Sequence, residues 1–211
     1  MTYCVGLSLD RGLVFMSDTR TNAGVDNFSK TRKMFSWNVP DERMITLMTS
    51  GNLATTQALV SLIEERMKTV SERDPSILRA PSMFQVARLV GDTLKEVIAD
   101  SAPAGQHSAG AFQATVIVGG QIKGGAPTMF MIYPEGNFIE VTPETPFFQI
   151  GETKYGRPIL VRAYEQNMRF EDAVKLLLVS FDSTVRSNLS VGLPFDLIVY
   201  ENDSFKPLLE R

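Results

Sequence analysis

Apolar and polar positions fall into blocks along this chain. Two apolar-rich runs, Tyr3–Leu9 and Leu13–Ser17, flank the turn signal Asp10-Arg11-Gly12, and this pattern predicts a β-hairpin. Both runs carry apolar residues on both pleat faces, with Val5, Leu7 and Leu9 in the first and Leu13, Val14, Phe15 and Met16 in the second. Strands of that kind are covered on both sides. A polar connector, Thr21–Lys33, follows, and then two short strands near Met34–Trp37 and Arg43–Thr49. Ser50-Gly51-Asn52 opens a helical pattern from Leu53 to about Glu72, with Leu59, Leu62, Ile63, Met67 and Val70 at helical spacing. Pro75 and Pro81 break the chain, and Ser82 reads as the N-cap of a second helix reaching about Asp100.

Four strands are expected next, near Phe112–Val118, Met129–Tyr133, Phe138–Val141 and Phe147–Ile150. They are punctuated by Gly119-Gly120, Gly124-Gly125 and Pro134-Glu135-Gly136-Asn137. Helices then fit Lys154–Asn167 and Phe170–Ser187, and strands near Asp196–Tyr200 and Phe205–Leu209 end the chain. Paired long helices between blocks of doubly buried strands predict an α+β fold, a four-layer αββα sandwich, with residues 1–211 as one domain. A doubly wound parallel sheet would alternate strand and helix singly.

Composition narrows the chemistry. The 44% apolar content supports a sizeable core, and no apolar run approaches the ~18 residues of a membrane span. The N-terminus lacks a signal-peptide pattern, and the single cysteine, Cys4, suits a reducing compartment, so a cytoplasmic location is expected. The 21 Lys and Arg against 24 Asp and Glu form no basic stripe, which argues against nucleic acid as a partner. One histidine and one cysteine leave no thiolate/imidazole metal site, and no cofactor motif occurs. His107 lies in the small-residue stretch DSAPAGQHSAGA, which reads as an exposed loop. Cys4 reads as a small buried apolar residue, and the ten methionines as core filler. An enzyme on this chain must move protons without histidine, or with His107 in isolation.

The hairpin points to how. With its turn at Asp10–Gly12, cross-strand partners sum to about 21–23, so Thr2 lies opposite Thr19 to Thr21 and Asp18 reaches the start of the first strand. Lys33, or the nearby Lys30, begins the next strand and is placed to complete an ion-paired cluster. Threonine is small enough for aminopeptidase removal of Met1, which leaves an α-amine of ordinary pKa near ~8. A lysine cation nearby lowers it further. A neutral amine then serves as general base for the Thr2 hydroxyl, the threonine/N-terminal-amine form of an activated nucleophile.

Four stretches, TYCVGLSLDRGLVFMSDTR, KTRKMF, MTSGNLATTQAL and RSNLSVG, resemble in order the signatures of proteasome β-type subunits, which are N-terminal nucleophile hydrolases. IGETKYGRPIL and RSNLSVGLPFDL further resemble the bacterial ancestral β-subunit branch, Anbu. The resemblance implies Thr2 as nucleophile, Asp18 as the carboxylate that orients and charges the catalytic lysine, and Lys33 as that lysine, with Lys30 as the fallback. It implies Gly51 as the backbone donor to the oxyanion and Ser190 as the serine bonded near the terminal amine. Thr49 and Leu53, together with Thr19, are the expected substrate-binding residues. Two departures stand out. Gly151-Glu152-Thr153-Lys154 replaces the usual Gly-Ser-Gly-Ser, leaving Thr153 as the substitute hydroxyl, and Ser187 replaces the aspartate of the Arg-Asp pattern after Arg186.

The resemblance therefore implies a cofactor-free threonine-type endopeptidase. It also implies a homo-oligomeric ring or ring-like helix that encloses its sites against peptide or unfolded protein, with contacts partly through the long helices. No α-type extension precedes the first strand, so self-assembly is expected, and any ATP-dependent unfoldase must be a separate chain. The rival expectations are hydrolysis of a non-peptide amide and a non-catalytic or weakly active assembly protein.

Overall fold

The computed structural model describes residues 2–22, 28–68, 75–101 and 111–211. His107 and the predicted extension of the first helix to Glu72 lie outside these residues. Strand β1 (Tyr3–Leu9) and β2 (Gly12–Asp18) form the expected hairpin around Asp10-Arg11. Its flanks are β10 (Phe147–Gly151) beside β1, and β11 (Phe195–Glu201) followed by β12 (Pro207–Glu210) beside β2. This first sheet runs β10-β1-β2-β11-β12, with every pairing antiparallel. The second sheet is an antiparallel meander of β5 (Met34–Val39), β6 (Arg43–Gly51), β7 (Ala114–Ile122), β8 (Thr128–Ile132) and β9 (Phe138–Glu140).

The doubly apolar strands find a cover on each face. Cys4, Leu13, Phe15, Met34, Met48, Ile117 and Phe148 meet between the two sheets. The alternate residues of the first sheet, Tyr3, Val5, Leu7, Val14 and Met16, pack against Leu160 of α3 (Arg157–Ala163) and against Leu177 and Phe181 of α4 (Phe170–Ser187). On the far side, Ile45, Leu47, Val116 and Val118 pack against Leu59 and Ile63 of α1 (Leu53–Lys68) and Val86, Val90 and Leu94 of α2 (Met83–Ser101). The result is the four-layer αββα sandwich. Among the described residues no helix is long and apolar enough to cross a membrane.

Three local expectations change. The polar connector is a two-stranded ribbon, β3 (Arg20–Asn22) against β4 (Phe28–Lys30), too short and too polar to show strand alternation. Gly119-Gly120 does not end β7 but lies inside it. A side chain at Gly119 would sit 2.5 Å from Met129 and 2.8 Å from Phe15, so the glycine is there for inter-sheet closeness. The helix expected over Lys154–Asn167 shrinks to α3. Pro158 in its first turn sets its start. The N–H groups of Thr153 and Lys154 are instead claimed by the Glu152 carboxylate. Ser82 caps α2 as expected, its hydroxyl accepting from the Gln85 N–H at 3.3 Å.

Candidate active site

The hairpin register pairs Cys4 with Ser17 and Leu9 with Gly12. Carried one step outward, it sets Tyr3 level with Asp18 and Thr2 level with Thr19. The Tyr3 N–H donates to Asp18 Oδ1 at 2.9 Å, so the carboxylate is delivered to the residue next to Thr2 by local pairing alone. Lys33 Nζ donates to the same oxygen at 2.7 Å and to the Arg20 carbonyl at 2.6 Å. The Gly192 N–H approaches Oδ2 at 3.3 Å.

Both partners are buried, Asp18 at 0% and Lys33 at 6% exposure. Burial pushes the Asp18 carboxyl above its ordinary value; the Lys33 ammonium and the Tyr3 and Gly192 N–H groups oppose that shift without cancelling it. Lys33 is held in turn by the second sheet, because its carbonyl accepts the Thr49 N–H at 2.9 Å just beyond β5. The Lys30 alternative lies in β4, paired with Arg20 across the ribbon.

A cavity of about 410 Å³ opens beside this pair. Of the expected site residues, Thr2, Lys33, Thr49, Gly51 and Leu53 line it. Asp18 stands behind Lys33. Gly51 ends β6 with φ +120°, and a side chain there would meet the Gln113 carbonyl at 2.4 Å. Asn52 then caps α1 by accepting the Thr55 N–H at 3.1 Å, which brings Leu53 to the rim. Thr19 and Ser190 are not among the lining residues. The Thr19 hydroxyl donates to the Pro194 carbonyl at 2.8 Å, and the Ser190 N–H donates to Asn188 Oδ1 at 3.0 Å. Thr153 is exposed and also outside the lining. Cys4 is fully buried, its thiol pushed well above its ordinary value by burial, and is no nucleophile.

Sequence reasoning missed Thr21, Arg32, Ser50, Thr56 and Gly151 in the lining. Thr56 was legible, because it follows Leu53 by three residues on one face of α1. Thr21 lies in the ribbon that the pattern hid. Gly151 carries φ +86°, and a side chain on it would lie 2.0 Å from the Thr2 carbonyl oxygen. The next N–H, of Glu152, donates to that oxygen at 2.7 Å. Thr2 is thus fixed on both sides, by Asp18 through the Tyr3 N–H and by the end of β10 through its own carbonyl.

Chemically, the arrangement offers a threonine hydroxyl in a cavity with a buried carboxylate–ammonium pair behind it and a bare glycine backbone across from it. Residues 2–197 match the family model described as proteasome subunit. The chain is similar over 100% of its length to a Gly-1 mutant of Anbu from Hyphomicrobium sp. strain MC1, at 50% identity, TM-score 0.93 and 86% coverage of that chain. It is equally covered by the Anbu chain in a helical assembly of the Anbu complex from Pseudomonas aeruginosa, at 46% identity, TM-score 0.91 and 86% coverage. Proteasome subunit beta 2 of Pyrobaculum islandicum is 24% identical over 208 residues, 98% of this chain and 94% of the relative. The chain belongs to the proteasome subunit family, as a β-type member of its Anbu branch.

Proposed function

We propose that residues 1–211 act as one threonine-type peptidase unit that cleaves peptide bonds through Thr2 once Met1 is removed. The observation that carries this reading is the hydrogen-bonded line from the Thr2–Tyr3 peptide through Asp18 to Lys33 at the wall of the cavity. The freed amine takes the proton from the Thr2 hydroxyl as the oxygen attacks the substrate carbonyl. Lys33 holds positive charge beside this step and so favours the neutral amine. The oxyanion forms against the Gly51 backbone N–H, which no side chain shields. Collapse returns the proton to the leaving amine and leaves an acyl-ester on Thr2. Water, activated by the same α-amine, then releases the acid.

Self-association fits the same reading. Leu178 and Val179 stand 44% and 56% exposed on α4 and Val161 60% exposed on α3, an apolar outer face beside two packed layers. With the helical assembly of the Pseudomonas relative, this supports a homo-oligomeric ring or ring-like helix; a cytoplasmic location and a separate ATP-dependent unfoldase are part of the same proposal. One observation favours hydrolysis of a non-peptide amide as a second reading: the cavity is rich in hydroxyls, from Thr21, Thr49, Ser50 and Thr56, and includes Arg32.

The test is intact mass before and after incubation with a peptide epoxyketone, a warhead that closes its ring only on a residue bearing both a hydroxyl and a free α-amine. Loss of Met1 and one adduct on Thr2, absent in Asp18→Asn and Lys33→Ala, is the expected result. Retained Met1, or a free Thr2 that several such peptides leave unmodified, overturns the peptidase reading in favour of an amide hydrolase or an assembly subunit.

A further inference from the structure

The segment that departs most from the family pattern, Gly151-Glu152-Thr153-Lys154, holds a carboxylate that the proposed chemistry does not use. Glu152 is 6% exposed, a poor environment for a charge unless its lone pairs are filled. They are. Oε1 accepts the N–H of Thr153 at 2.9 Å and that of Lys154 at 2.8 Å. Oε2 accepts Asn188 Nδ2 at 2.7 Å. Burial raises the carboxyl, but these three donors and the Lys154 charge outweigh it and hold it below its ordinary value, so the group is an anion.

Both ends of this arrangement reach the site. The Glu152 backbone N–H is the donor to the Thr2 carbonyl. Asn188, just past α4, turns its Oδ1 to the Ser190 N–H, and two residues on, the Gly192 N–H meets Asp18. The loop after β10 and the loop before β11 are thereby tied to each other on either side of Thr2. We propose that Glu152 is a positioning residue, a clamp that joins these two loops through Asn188 and holds Thr2 at the angle its hydroxyl needs for attack. The clamp accounts for the altered segment after β10. A short serine hydroxyl offers one acceptor oxygen near its own backbone, whereas glutamate spans to Asn188 at the α4 exit. The proposal deepens the peptidase reading and rests on it.

The hydrogen-bond pattern supplies its own test. Glu152→Gln keeps the length but must set an amide NH2 against either Asn188 Nδ2 or the two backbone N–H groups. Exchanging the groups, in Glu152→Gln with Asn188→Asp, restores a donor for every acceptor. Epoxyketone labelling of Thr2 in the full-length oligomer is followed at several probe concentrations to separate the maximal rate from the half-saturating concentration. For Glu152→Gln the maximal rate falls on the order of tenfold, short of the ~10²-fold that a 1 Å misplacement costs, while half-saturation stays within about twofold. The exchanged pair recovers most of the loss. Asn188→Ala, which leaves the two backbone bonds of Glu152 in place, serves where Glu152→Gln does not fold, and shows the same change in maximal rate.

A Glu152→Gln protein that labels at the wild-type rate, whatever its thermal stability, overturns the clamp. So does an exchanged pair as slow as the single variant. A wild-type protein that is never labelled overturns the peptidase reading itself, a distinct outcome.

Discussion

Two buried carboxylates flank Thr2, and the protein treats them in opposite ways. Asp18 lies at the base of the hairpin and is balanced chiefly by one side-chain cation, Lys33, at 2.7 Å. Glu152 lies at the end of β10 and is balanced by two backbone N–H groups and an amide. Burial wins at Asp18 and raises its pKa; the donors win at Glu152 and lower it. An ion pair responds to any charge that appears beside it, so the Asp18–Lys33 side can couple to proton transfer at Thr2. A ring of fixed dipoles responds to geometry, so the Glu152 side can set position but has little to exchange.

The comparison breaks first at Lys33. Lys33→Ala leaves Asp18 with no cation at 0% exposure, and losing one partner of a buried pair costs about 3–5 kcal/mol. The proposed activity falls further still, by about 10²–10⁴-fold, the range for a lost proton-transfer partner. Lys33→Arg does not restore it, because the wider planar guanidinium does not fit the buried point between Asp18 and the Arg20 carbonyl that the compact ammonium occupies. Denaturant melts and single-turnover labelling read the two losses separately. Preserved labelling in Lys33→Ala would remove this side from the chemistry.

On the other side the largest effect comes from Gly151→Ala. The residue combines φ +86° with a position whose side chain would lie 2.0 Å from the Thr2 carbonyl oxygen, so Thr2 itself must shift. The strain costs about 1–3 kcal/mol, and the labelling rate drops on the order of 10²-fold. Gly124→Ala is the matched control. It has φ +88° but open space around it, so it incurs the backbone strain without moving Thr2.

How far this contrast was readable depends on the range of the forces involved. The Asp18 side is local: a turn at Asp10-Arg11 and a two-residue pleat place the carboxylate, and the doubly apolar strands declare their four-layer setting. The Glu152 side depends on Asn188, 36 residues away, meeting it after α4 has crossed the sheet. No periodicity reports such a meeting, so the segment looked like a missing serine, with Thr153 as its stand-in. The β3–β4 ribbon stayed hidden because three-residue polar strands carry no alternation to read, and with it went Thr21. Thr19 and Ser190 sat at legible positions, but their side-chain orientation and loop contacts decided against the cavity wall.

Stability against pH sharpens the same contrast. Because Asp18 is raised, the folded state binds more protons there than the unfolded chain. Its contribution to stability is therefore greatest below the ordinary aspartate value near ~3.9 and declines as pH rises through the shifted one. Glu152 is lowered and contributes the reverse: stability present above the ordinary glutamate value near ~4.3 and lost as pH falls through its depressed folded value. Urea unfolding from pH 3 to 7 checks this. The wild type's advantage over Glu152→Gln shrinks on acidification, and its balance against Asp18→Asn moves the other way. Parallel curves for the two variants would mean that the two sides are alike.

The smallest effect lies at the cavity wall between these supports. Arg32 is exposed at the cavity's edge, its Nε donating to the Met34 carbonyl at 2.6 Å and its guanidinium set over the Phe35 ring at 5.3 Å from the centroid. Its guanidinium adds positive charge at the cavity, charge that also acts on Asp196, and Thr21 and Thr49 set hydroxyls beside the apolar part of the lining. An acidic substrate side chain should gain from that wall, and a basic one should not. The interaction is partly solvated, so it is worth about 0.2–1 kcal/mol, or roughly one- to fivefold in affinity. Arg32→Gln keeps much of the stem, and its expected effect is a rise of that size in KM for peptides with Asp or Glu before the cut. KM for the matched Leu peptide and kcat for both should hold. An equal change for the acidic and apolar peptides would make Arg32 a support for Phe35 rather than a reader of substrate. A change in kcat would place it with Asp18 and Lys33 instead.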